Sequence, residues 1–121
     1  MRIDSVQLLY NAAAHFAAAE KYPDGLMKEL QKIGVASYEA AFWTFAECAK
    51  QAELWRRFMG EKPRKILTEA EWRMAIKPAQ IEKMVEKVIE AISAGLAQDK
   101  DEDEEIDEVL LELEKKTART N

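Results

Sequence analysis

Few side chains in this chain of 121 residues could perform covalent or metal chemistry, and those few lack partners. His15 is the single histidine. It sits among alanines in "NAAAHFAAAEKY", with no Cys, Asp or Glu at metal-ligand spacing, so it reads as a partly buried structural residue. Cys48 is the single cysteine, which excludes an intrachain disulfide and fits a reducing compartment. It falls on the apolar face of "AAFWTFAECA", where burial would keep the thiol protonated and inert. No Gly-rich phosphate loop, paired-Cys motif or nucleophile elbow is present. Residues 99–108 carry eight carboxylates in ten positions but lack the Gly and the ligand spacing of a calcium loop. A solvated tether is expected there. The expectation is therefore no catalytic residue, no metal, no cofactor and a non-enzymatic protein.

A basic cluster raises a different possibility. Arg56, Arg57, Lys62, Arg64 and Lys65, followed by Arg73 and Lys77, lie close in sequence to Trp55 and Trp72. Cations beside stacking aromatics would suit single-stranded nucleic acid, which makes a small helical nucleic-acid-associated or regulatory protein the alternative function. Glu61, Glu69 and Glu71 dilute the cluster, and the net charge of −5 is the wrong sign for a typical nucleic-acid binder. The competing view is a solvated surface that receives the acidic tail of the same chain or of a neighbouring copy. Residues 99–121 hold ten acids and four bases, whereas residues 1–98 are nearly balanced with thirteen and fourteen.

The elements that must position these residues read as all-α: a small bundle of about five helices around a long central one. Residues 3–10, "IDSVQLLY", alternate weakly and suit either a short N-terminal strand or the run-in to a helix. Asn11 is a plausible cap for a helix over 12–22, followed by the break Pro23-Asp24-Gly25. A short helix over 26–33 carries Leu26, Met27, Leu30 and Ile33, with Gly34 as its stop. Ser37 would cap the central helix, 38–59, whose core stripe centres on Phe42, Phe45, Ala49, Ala52 and Trp55. Trp43 and Leu54 fall off that stripe, so both pack on a second neighbour or one is exposed. Thr68 and Glu71 have capping-box spacing before a helix over 69–76. Pro78 opens the last helix of the body, 79–97, with Ile81, Met84, Val85, Val88, Ile92 and Leu96 in line. The chain thus divides into a helical domain, 1–98, and an acidic linker with a short amphipathic helix, 99–121. On that segment Ile106, Val109, Leu110 and Leu113 form one stripe, suited to docking on the body or on a partner groove. No run approaches the ~18–20 apolar residues that span a bilayer, and the first residues lack a signal-peptide core. A cytoplasmic protein is expected.

The order of "NAAAHFAAAEKY", "GLMKEL", "AAFWTFAECA", "LTEAEW" and "PAQIEKMVEKVIEAISAGL" resembles the tail assembly chaperones of long-tailed bacteriophages and prophages, over roughly residues 8–97. That resemblance implies a small helical protein of the host cytoplasm that coats the tape measure protein and recruits tail tube protein. Self-association as a homo-oligomer is expected as well. Met27, Leu30, Trp43, Met59, Trp72 and Met74, with the stripe at 106–113, are the candidate partner-binding residues. Met84 joins them as an adaptable groove-lining candidate, because Met tolerates varied partners.

Overall fold

The helix α3 (Val35–Phe58) carries the architecture: α1 (Ala12–Lys21), α2 (Leu26–Leu30), α4 (Glu69–Ala75) and α5 (Ile81–Leu96) all pack on it. The structure is a computed structural model and describes residues 2–97. Regular structure among these residues is entirely helical, with single 3-10 turns at Ile3–Ser5 and Pro78–Gln80. The acidic linker and the 106–113 stripe lie outside the described residues.

The local signals work through hydrogen bonds. The Ala14 N–H donates to Asn11 Oδ1 at 3.0 Å, capping α1. Thr68 and Glu71 close the reciprocal box at the start of α4, each backbone N–H donating to the other's side chain at 3.1 Å. Gly34 has φ of +90°, which favours glycine, but it starts α3 rather than stopping α2. The central helix therefore begins two residues before Ser37. Ser37 is not its cap; its hydroxyl donates to the Leu30 carbonyl at 3.0 Å and ties the end of α2 to α3. α2 ends at Leu30, leaving Ile33 outside it and fully exposed.

Residues 3–10 are not a strand. After the 3-10 turn the chain turns extended at Val6 and runs to Asn11 without regular structure, and no strand among the described residues lies beside it to pair with. Helices meet its polar groups instead. The Leu9 N–H donates to the Cys48 carbonyl at 3.0 Å, and Lys87 Nζ donates to the Val6 carbonyl at 2.8 Å. This segment fills the channel between α3 and α5.

The core is built on small residues. Ala40, Ala41, Phe45 and Cys48 of α3 are completely buried, as are Met84 and Val88 of α5. Trp72 of α4 meets Phe45 edge-on, with ring centroids 5.0 Å apart. Phe42 and Ala52 also lie in the core, and Ala49 at its margin, as the stripe predicts. Trp55 does not. It leaves the same face as Cys48, two turns further along, where the packed elements leave 53% of it open. Two buried polar side chains of α3 find partners within the bundle: Thr44 Oγ1 donates to the Ala40 carbonyl at 2.7 Å, and Gln51 joins Glu47 to Asn11.

Near the end of α5, Gly95 lies against residue 10 so closely that an added Cβ would come within 2.2 Å of the Tyr10 carbonyl oxygen. A Gly→Ala change in an open helix gains about 1 kcal/mol from propensity. Here the backbone contact dominates, and Gly95→Ala is expected to destabilise by roughly 1–3 kcal/mol. Urea unfolding of the two proteins gives the sign directly.

Candidate protein-binding surface

The C-terminal end of α3 gathers a cluster of charged side chains around Glu53. Glu53 is nearly buried and accepts hydrogen bonds from Arg56, from Arg57 Nε at 3.0 Å and from the Arg64 backbone N–H at 2.9 Å. Arg57 also reaches the Arg64 carbonyl at 2.7 Å, and Arg56 Nε pairs with Glu61 at 2.8 Å. One carboxylate thus holds the loop 60–65 against the helix it has just left. The Arg64 N–H, ahead of the guanidinium groups, draws the Glu53 pKa down to about 2. Lys65 pairs with Glu71 at 2.8 Å, holding that carboxyl below its usual range and joining the loop to α4.

These pairs break up the basic patch. Arg56 and Arg57 serve Glu53, and Lys65 serves Glu71, so their charge is largely answered within the chain. Arg64 does join the cluster, but through its backbone.

Beside this hub the helix exposes apolar side chains. Trp55 and Phe58 stack with centroids 5.4 Å apart and planes 23° from parallel. Phe58 is 78% and Met59 62% exposed, and Leu54 faces solvent as well. An open groove of about 410 Å³ runs between Trp55 and the extended segment at Val6–Leu9, with Lys87 and Arg56 at its edge. A second depression, of about 190 Å³, adjoins it across Val6, Gln7 and Arg56 and reaches Arg64 and Lys65. Trp72 lines this second depression, and its buried Nε1–H has no protein acceptor among the described residues.

The candidate partner residues divide. Met27, Met59 and Met74 are exposed. Leu30 is half-buried between α2 and α3, and Trp43 is half-buried edge-on to Tyr22 at 5.7 Å. Trp72 is a core residue, because its ring is needed to cover Phe45. Met84 is likewise core, clamped between α5 and α3. Ile106, Val109, Leu110 and Leu113 fall outside the described residues. Of the two residues off the central stripe, Trp43 finds a second neighbour and Leu54 stays exposed.

The groups first weighed for chemistry are accounted for in the fold. Cys48 is fully buried, and burial pushes its thiol up to about 12. His15 is exposed rather than partly buried. α1 carries it on its outer side, where Nδ1 shares a hydrogen bond of 2.8 Å with the Tyr10 hydroxyl. Among the described residues no cluster of His, Cys, Asp and Glu is arranged to hold a metal, and no helix is long and apolar enough to cross a membrane.

Sequence reasoning passed over Trp55 and Phe58 as outward-facing residues. The signal was available: Leu54-Trp55 and Phe58-Met59 are adjacent apolar pairs one turn apart. Neighbours in a helix point about 100° apart, so four such residues cover too wide an arc for one packing partner.

No family model, curated protein or solved structure matches the chain.

The low pKa of Glu53 carries a pH dependence. A carboxyl depressed in the folded state stabilises the protein above its ordinary value of 4.5 and loses that contribution as pH falls toward 2. Glu53→Gln is therefore expected to lower the urea midpoint at pH 7. The gap from the parent protein should narrow steadily between about pH 4.5 and pH 2. A gap that stays constant across that range contradicts the assigned role.

Proposed function

We propose that this protein is a non-catalytic assembly chaperone whose apolar surface at the end of α3 shields an amphipathic helical client. The observation that carries the proposal is the stacked, outward-facing Trp55–Phe58 pair next to exposed Met59. Exposed aromatic rings that neither fill the core nor cap a helix lower solubility unless they meet a partner. Their stacking on a helix restrains both rings before binding, which reduces the entropy cost of association. Methionines at Met27, Met59 and Met74 add soft, adaptable contacts of the sort that accept varied helical sequences.

The resemblance to tail assembly chaperones gives this reading its particular form. The client would be the tape measure protein, a long helical chain that needs cover until tail tube protein polymerises around it. Self-association would place several such surfaces along one client, and weak individual contacts would then sum to a durable but reversible coat.

Co-expression with a tape measure fragment, followed by pull-down, tests the proposal. The parent protein should keep the fragment soluble and co-purify with it. Trp55→Ala combined with Phe58→Ala should abolish capture. Stability should change by less than about 1 kcal/mol, because both rings are more exposed than buried. A fragment that stays unbound, or capture unaffected by the double substitution, defeats the assignment.

A further inference from the structure

We infer that the groove beside Trp55 is the docking site of the chain's own acidic segment 106–113, which covers this surface until a client displaces it. The inference rests on the client-binding reading in one respect, that both occupants use the same surface.

Three observations lead to this occupant. The first is reach. α5 ends with Gly95 and Leu96 beside Tyr10 and His15, while Lys87, nine residues earlier on α5, stands at the groove. Nine helical residues span about 14 Å. Residues 97–105 can cover roughly 30 Å when extended. The chain beyond α5 is thus long enough to turn back and lay residue 106 at the groove.

The second is charge. Arg56 and Arg57 are taken up by Glu53 and Lys65 by Glu71, but Lys62 and the Arg64 guanidinium have no carboxylate partner among the described residues. Lys87 donates to the carbonyls of Asp4 and Val6 and has no carboxylate partner among the described residues. Residues 99–121 carry ten acids and four bases. Another exposed apolar cluster, at Ile33, Val35 and Tyr38, lies among mixed charges: Lys28, Glu29, Lys32 and Glu39. The cations without a carboxylate partner, Lys62, Arg64 and Lys87, favour the Trp55 end.

The third is pattern. In the sequence Ile106, Val109, Leu110 and Leu113 recur at three- and four-residue steps, with the acids Asp107, Glu108 and Glu112 between them. The groove has the complementary division, with Trp55 and Leu8 in its apolar part and Arg56, Arg64 and Lys65 in the adjoining depression. A segment this short gains little from folding alone, so occupancy depends on contact with the body and remains readily reversible.

The test compares the full chain with its Val109→Asp/Leu110→Asp variant, which leaves residues 2–97 unchanged. Tryptophan indole N–H resonances are recorded by NMR, and amide exchange is followed across residues 52–58. The Trp55 resonance is expected to move in the variant, and to move the same way when the parent chain is taken to high salt. That of Trp43, which lies away from the groove, should hold still, and exchange near Trp55 should quicken several-fold. Identical Trp55 signals in the two proteins overturn the inference. A Trp55 shift that depends on protein concentration, with a dimer in sedimentation, assigns the groove to a second copy and overturns it equally. Titration with the tape measure fragment separates the two proposals. If the chaperone reading alone is wrong, neither protein binds the fragment while the Trp55 difference persists. If both hold, the variant binds the fragment several-fold more tightly than the parent chain.

Discussion

Every helix of this bundle depends on close approach to α3, and small side chains on α3 make that approach possible. Ala40 and Ala41 are fully buried, and Ala14 and Ala18 of α1 are nearly so. α2 and α4 have five and seven residues, too short to persist in water by themselves. Their stability comes from the α3 surface. Phe42 and Phe45 are bulky exceptions on that surface, and Trp72 packs edge-on against Phe45. The same close packing recurs at Gly95, where α5 admits the extended N-terminal segment between itself and α3.

Arrangement on a central rod has a consequence at the rod's ends. Midway along α3, neighbours stand on several sides and absorb every large side chain. Toward Phe58 the neighbours give out while aromatic residues continue. The loop that follows is held by Glu53 through hydrogen bonds rather than by apolar cover. A polar clamp fixes the backbone without hiding Trp55 and Phe58. Rigidity and apolar exposure, which usually exclude one another, therefore coexist at this end of the molecule.

The same clamp bears on the charge of the surface. Guanidinium groups that serve Glu53 cannot also move freely to meet phosphates, so the run from Arg56 to Lys65 is a weaker nucleic-acid platform than its composition suggests. The cations left without a carboxylate, Lys62, Arg64 and Lys87, beside apolar rings would suit a polypeptide with acids flanking an apolar stripe. Both a client helix and the chain's own acidic segment would have to satisfy that same pattern.

Much of the fold was legible in the residues taken one after another. Asn11, the Thr68–Glu71 pair and the long apolar face from Tyr38 to Met59 marked three of the five helices, because caps and periodicity act within a few residues. The buried state of Cys48 followed from its place on that face. Tertiary structure decided what periodicity cannot express. It turned Ser37 from a cap into a tie to Leu30, made residues 3–10 a packed extended segment, and sent Trp72 inward and Trp55 outward. A helical face shows which side chains point the same way, but only the length and position of the neighbouring elements determine how far along that face burial extends.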